Sequence, residues 1–200
     1  MPDPTELTGE SPEETLRRIV ALGFDGDAER FHRFVELLRD ETPSDVAVIL
    51  RGSAVAGTRW ADGAPFDAEG PGTSDIDLTF IGGTMLGFFE KFYIPGLHTA
   101  PLCDDDLDVA PDLVPLREKL SRLAGRPVNI QATSDLVQYM RDVTMRQPYY
   151  VLIPKQEEEA EEGDPRIAAA AVAGDAAQSG NAAAAVAVDA AQSGTVQSET

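Results

Sequence analysis

Two short apolar segments decide the fold of this chain: residues 46–53 read VAVILRGS, and residues 74–81 read SDIDLTFI. Each contains a run of β-branched and large apolar residues with small polar residues at one end, which is typical of buried β-strands. We therefore predict strands over Val46–Leu50 and Ile76–Ile81. The polar residues at the ends of these strands are the candidates for a functional site.

An acidic pair, Asp75 and Asp77, stands at the start of the second strand. Residues i and i+2 of a strand point to the same face, so both carboxylates can converge while Ile76 and Leu78 enter the core. Magnesium is normally held by one or two carboxylates together with substrate phosphates, so the pair predicts a site for Mg²⁺ or Mn²⁺. The alternative is a half-exposed strand face carrying two solvated acids.

Gly52 and Ser53 follow the first strand directly. Glycine lets the backbone approach a phosphate closely, and the serine hydroxyl can contact the phosphate oxygens. A helix that begins here would direct its backbone amides at the same anion. We therefore predict that Gly52 and Ser53 bind a phosphate group.

The segment between the strands, residues 58–73, is rich in glycine and proline and is predicted to be a surface loop. It contains two aromatic residues, Trp60 and Phe66. Either can stack on a base or simply cover the site, and the sequence leaves both readings open.

Apolar spacing and capping residues predict helices over residues 11–23, 27–40, 112–123 and 134–146, and a strand over residues 127–131. Residues 85–93 are apolar and aromatic, so a strand and a short buried helix remain open there. The expectation is an α/β (α+β) domain over residues 11–155, in which a mixed β-sheet is flanked by helices. A flexible N-terminus of residues 1–10 precedes it.

Residues 156–200 are acidic and then alanine-rich, with few large apolar side chains. Such a segment buries too little surface to offset the entropy of ordering, so we predict a disordered C-terminal tail. The simplest interpretation is that the charged tail keeps the protein well solvated, and the alternative is that the tail binds a partner.

The net charge of −19 and the pI near 4.3 disfavour extended nucleic acid as a partner, because nucleic-acid surfaces are normally basic. The lone Cys103 has no Cys and His cluster around it that would bind zinc. No apolar run is long enough to span a membrane, so we expect no membrane partner and a cytoplasmic location.

The two motifs together resemble the polymerase-beta-type nucleotidyltransferase superfamily, and in particular its small minimal members. The likeness rests on ILRGS at residues 49–53, Gly57 and SDIDL at residues 74–78, and it continues in GRPVNI at residues 125–130. It implies a sheet that holds a nucleoside triphosphate, ATP being the expected one, against two divalent metal ions.

In that interpretation, Gly52 and Ser53 bind the phosphates, while Asp75 and Asp77 are the catalytic metal ligands. The activity implied is transfer of a nucleoside monophosphate, AMP in the case of ATP, to a hydroxyl group of a protein, an RNA end or a small molecule.

The chain departs from the family pattern in two ways. Twenty-one residues separate Ser53 from Asp75, more than in compact members. The strand after Gly125 presents Asn129 at the third metal-site position, where a carboxylate is expected; asparagine can coordinate through its oxygen but carries no negative charge. The acidic loop offers other candidates for the third carboxylate, although a solvated turn also explains it: Asp104, Asp105, Asp106 and Asp108.

Three hypotheses follow. The first is an active, magnesium-dependent nucleotidyltransferase. The second is a catalytically impaired nucleotide-binding or antitoxin-like regulatory protein, which would act beside a small helical toxin-like partner. The third is an unrelated α/β domain in which the motifs are accidental. His32 and His98 have no partner at useful spacing and are interpreted as ordinary structural residues.

Overall fold

The computed structural model describes residues 10–156. The predicted flexible N-terminus therefore lies almost wholly outside the described residues, and so does the predicted disordered tail. Of the helices in the described part of the chain, none is long and apolar enough to cross a membrane.

The described residues form six helices and six strands in the order α1 (Pro12–Gly23), α2 (Ala28–Glu41), β1 (Ala47–Arg51), α3 (Ser53–Ala56), β2 (Ile76–Ile81), α4 (Gly83–Leu86), β3 (Phe92–Ile94), β4 (His98–Thr99), α5 (Val114–Ala124), β5 (Val128–Thr133), α6 (Asp135–Met140) and β6 (Tyr150–Ile153). Two 3₁₀ turns, Leu107–Val109 and Pro111–Leu113, precede α5, and a π-helical turn, Arg141–Met145, follows α6.

The strands form one mixed sheet in the order β3-β4-β5-β2-β1-β6. β2 and β5 are parallel, whereas β1 is antiparallel to both of its neighbours, β2 and β6. This arrangement confirms the predicted fold class, a mixed sheet flanked by helices.

The main core lies between one face of the sheet and the helices. On β1, Val48 and Leu50 enter this core, which also contains Phe24 and Phe34. Ala47 and Ile49 belong to a second, much smaller cluster, with Ile81. Because side chains alternate along a strand, the two clusters lie on opposite faces of the sheet, and Arg51 shares the lightly covered face with Ile49.

Several predicted boundaries are confirmed by local hydrogen bonds. Ser11 and Glu14 form a reciprocal capping box at the start of α1. Asp27 caps α2, and Ser134 caps α6. Gly125 ends α5 in the left-handed conformation with φ of 73°. Helix starts of this kind are predictable because the side chain satisfies amides that lack a partner within the helix.

Other predictions needed correction. The helix predicted from residue 112 begins at Val114, because Pro111–Leu113 forms a separate 3₁₀ turn. The helix predicted to reach Arg146 is α-helical only to Met140 and then widens into the π-helical turn. Residues 85–93 are neither one strand nor one helix, since they contain the end of α4 and the start of β3. Strands β4 and β6 were not predicted, and β3 begins within the segment where a strand was one of the two alternatives.

Candidate functional site

The turn between β1 and α3 is fitted closely to the acidic pair. Gly52 has φ of 74°, and a Cβ atom at this position would lie 2.2 Å from Oδ2 of Asp77. Only glycine fits here, because any other side chain would both strain the backbone and displace the carboxylate. The structure thus brings the predicted phosphate-binding turn against the strand end that carries the acidic pair.

Ser53 is the first residue of α3 and is buried, with 7% of its surface exposed. Gly52, not Ser53, lines the adjoining cavity. A helix does begin at this point, but it is only four residues long. It therefore adds little to anion binding through its dipole, which grows with the number of aligned peptide units.

The sheet register places three polar residues in one row. Arg51 on β1 lies opposite Asp77 on β2, and Asp77 lies opposite Asn129 on the parallel strand β5. Asn129 donates one amide nitrogen to both acids: Nδ2 is 3.2 Å from Oδ1 of Asp77 and closer still to Oδ2 of Asp75. The two carboxylates therefore converge, and Asn129 lies beside them as the sequence predicted.

Burial and, to a smaller extent, the nearby negative charge of Asp75 raise the pKa of Asp77 to about 6, against the lowering effects of Asn129 and Arg51. Two close carboxylates in a half-buried position repel each other. A divalent cation would relieve that repulsion, so the electrostatics of Asp75 and Asp77 suit metal binding. Among the described residues, no cluster of three or more Asp, Glu, His or Cys side chains forms a metal site.

A cavity of about 660 Å³ opens beside the acidic pair on the lightly covered face of the sheet. This volume is in the range of small-molecule sites. Its floor is made of strand residues that point to this face, among them Asp77, Thr79, Asn129 and Gln131. Trp60, which is 72% exposed, lies at the wall.

Part of the cavity lining, called here the cationic wall, carries positive charge. It is formed by Arg51, Arg59 and Arg141 together with Gln147 and His98, and Arg51 lies directly beside Asp77. Burial and, to a smaller extent, the charge of Arg141 lower the pKa of Arg51 to about 10, against the raising effects of Asp142 and Asp77. Burial and the charges of Arg141 and Arg51 lower the pKa of His98 to about 4, so His98 is neutral at neutral pH.

Sequence reasoning missed most of this cationic wall. Arg51 was visible at the end of a buried strand, and that position was a usable signal. Arg141 and Gln147 come from the segment after α6, more than 85 residues further along the chain, and no local pattern marks them. His98 was interpreted as an ordinary structural residue, although it lines the cavity.

The long loop before β2 is held by a buried arginine. Asp67 accepts the backbone amides of Gly72 and Ser74 at 3.0 and 2.8 Å. Arg126, whose side chain is 2% exposed, donates to Asp67 and to the backbone oxygen of Ser74 and lies 4.7 Å from the ring of Phe66. Phe66 thus covers the arginine, and the network fixes the residue just before Asp75.

The acidic loop supplies no third carboxylate to the cavity. Asp104 forms an ion pair with Arg117 at 2.7 Å, and Asp106 forms one with Lys91. Neither these residues nor Asp105 or Asp108 lines the cavity. The loop is explained by surface ion pairs and turn structure, which was the plainer interpretation.

In comparisons with known proteins, no family model, curated protein or solved structure matches this chain.

Proposed function

We propose that this protein binds a nucleoside triphosphate with Mg²⁺ and transfers the nucleoside monophosphate to a hydroxyl acceptor. One observation carries the proposal: the backbone of Gly52 lies against Asp77, which shares the amide of Asn129 with Asp75, and the cavity that Gly52, Asp77 and Asn129 line is also lined by arginines. An acidic pair beside a cationic wall suits a metal-bound polyphosphate. The carboxylates would hold the metal ion, and the arginines would contact the phosphate oxygens.

Asp75 and Asp77 would hold the divalent cation, and their mutual repulsion supports this assignment. When bound, the cation would neutralise charge that develops on the phosphate oxygens. The Gly52 backbone leaves room for the phosphates to approach. Trp60, exposed at the cavity wall, suits stacking on the base.

In the proposed reaction, the acceptor hydroxyl oxygen forms a bond to the α-phosphorus of the nucleotide. The bond from that phosphorus to the bridging oxygen of the β-phosphate breaks, and pyrophosphate leaves with the electron pair. The hydroxyl proton passes to solvent. The acidic pair and the side chains that line the cavity position the reactants and balance their charge, which is the main task of a protein in phosphoryl-type transfer.

Asn129 supports a second candidate, a nucleotide-binding regulatory protein without turnover. Its neutral amide donates to both acids from the position where a third carboxylate is expected. A third carboxylate would help to hold a second metal ion and to deprotonate the acceptor, and an amide does neither. Such a protein would act beside a partner, for which a small helical toxin-like protein is the candidate.

The test of transfer uses ATP labelled on the α-phosphate, Mg²⁺ and native lysate as the acceptor source. The enzyme hypothesis expects label on an acceptor and its loss in the double variant Asp75→Ala, Asp77→Ala. Persistence of label in that variant would overturn the site assignment. Nucleotide binding without label transfer, together with transfer gained by Asn129→Asp, would favour the regulatory candidate.

A further inference from the structure

Two arginines converge on one amide oxygen at the cationic end of the cavity. Arg51 is 7% exposed, and its Nη2 donates to Oε1 of Gln147. Nη2 of Arg141 lies 3.4 Å from the same oxygen. A single neutral acceptor therefore holds two guanidinium groups side by side at the wall of the cavity.

Each guanidinium keeps a buried nitrogen without a hydrogen-bond partner among the described residues. These atoms are Nη1 of Arg51 and Nη1 of Arg141. A buried cationic donor that lacks a partner is costly, because it has lost water and gained nothing in exchange. Both donors belong to side chains that line the cavity.

The carboxylates of the described residues do not satisfy this pair. Among the ion pairs formed within residues 10–156, none includes Arg51 or Arg141. Asp142 is buried nearby and attracts both arginines, but its Oδ1 accepts a hydrogen bond from Gln138 at 2.6 Å and its Oδ2 has no hydrogen-bond partner among the described residues. Asp77, opposite Arg51, also attracts that arginine without forming an ion pair with it. The two guanidinium groups therefore keep donors that no carboxylate of the described residues takes.

We propose that Arg51, Arg141 and Gln147 form an anion-binding subsite that takes a phosphate group. Guanidinium groups bind phosphate through paired N–H donors, and two of them side by side match its several oxygens. The subsite lies in the same cavity as Asp77 but uses side-chain cations in place of a metal ion. Anion binding there requires no divalent cation.

The phosphate group can come from two molecules, and both of these sources rest on the proposed function. One source is the polyphosphate of the nucleotide, which would reach from the acidic pair to the arginines. The other is a phosphate group carried by the acceptor. Both present the same tetrahedral anion to Arg51 and Arg141.

The test is calorimetric titration of the full chain with pyrophosphate and with inorganic phosphate, in EDTA so that no metal contributes. The subsite predicts saturable binding that weakens at least about tenfold in Arg141→Gln, because a charged hydrogen bond and a charge are lost. Arg33→Gln is the matched control. Arg33 is exposed on α2, so this substitution removes the same charge at a position away from the cavity.

Asp142→Asn provides a second test, which applies even if Arg141→Gln does not fold. Asp142→Asn removes a negative charge beside both arginines with almost no change of shape, so anion binding should tighten several-fold. No binding by wild-type protein, or equal affinities in wild type, Arg141→Gln and Asp142→Asn, would overturn the subsite. Because these titrations contain no Mg²⁺, their outcome is independent of whether nucleotidyl transfer occurs.

Repeating the titrations with Mg²⁺ and a non-hydrolysable ATP analogue separates the two sources. Loss of phosphate binding in the presence of the analogue assigns the arginines to the nucleotide polyphosphate. Retained phosphate binding assigns them to a phosphorylated acceptor. Either result supports the subsite.

Discussion

At the scale of single residues, the site depends on the close approach of Gly52 to Asp77. The glycine is at φ of 74°, and a Cβ atom added to it would lie 2.2 Å from the Asp77 carboxylate. Asp77 in turn shares the amide of Asn129 with Asp75. A change at any one of these positions is therefore expected to affect the others.

Gly52→Ala should destabilise the protein by more than about 2 kcal/mol, because it adds both backbone strain and a steric clash with Asp77. Gly63→Ala is the matched control, since Gly63 has φ of 73° but nothing within 4 Å of its Cβ position. The control should cost only about 1 kcal/mol. Urea unfolding of both variants measures the difference, and equal losses would contradict the clash.

Asp77→Asn should raise the melting temperature of the metal-free protein at pH 8. The pKa of Asp77 is raised by burial from 3.8 to about 6, so the stability tied to its protonated form is present below pH 3.8 and is lost as the pH rises through about 6. An amide avoids that loss. The advantage should shrink towards pH 4, and a difference in melting temperature that does not change with pH would argue against the raised pKa.

Binding of Mg²⁺ should weaken as the pH falls through about 6, because protons then compete for Asp77. Calorimetric titrations of Mg²⁺ between pH 5 and 8, with a nucleotide analogue present, measure this dependence. Asp77→Asn should lose both the binding and its pH dependence. Unchanged affinity across this range would remove Asp77 from the metal site.

At the scale of elements, Arg126 connects the loop before β2 to the site. It lies just before β5, yet it holds Asp67 and the backbone of Ser74, directly before Asp75. Arg126 thereby holds the loop at two points, the carboxylate of Asp67 and the backbone of Ser74 just before β2. The long insertion between the two motifs is structured where it meets the site.

Arg126→Met should destabilise the protein by about 3 kcal/mol, because it leaves Asp67 with its charge but without its cation. It should also weaken metal binding, since Asp75 follows Ser74. Arg122→Met is the control: Arg122 is exposed on α5, and its ion pair with Glu118 is a surface pair of little value. Unfolding in urea compares them, and similar losses of stability would exclude the anchoring role.

At the scale of the whole molecule, the parts of the site that the sequence predicted are those coded locally. Gly52, Asp75 and Asp77 stand at the ends of two strongly apolar strands, and strand alternation fixes the direction of their side chains. Asn129 was singled out by the family resemblance, and the helix stop at Gly125 located the strand that carries it. Burial patterns and turn residues are enough for such predictions.

The rest of the site depends on pairing between distant segments. Strand β6 places Gln147 beside Arg51 by pairing with β1, a contact that spans about a hundred residues of chain. The short strands β3 and β4 bring His98 and Tyr93 to the cavity and have too few residues to show a period. No local pattern encodes these approaches, so the cationic wall becomes visible only in the folded chain.

The central claim is that Asp75 and Asp77 hold a divalent cation together with a nucleotide. Electron paramagnetic resonance of Mn²⁺, titrated into the full chain with and without a non-hydrolysable ATP analogue, tests it most directly. We expect bound Mn²⁺ to increase when the analogue is present, and this increase to disappear in the double variant Asp75→Asn, Asp77→Asn. An equal increase in the double variant would contradict the claim.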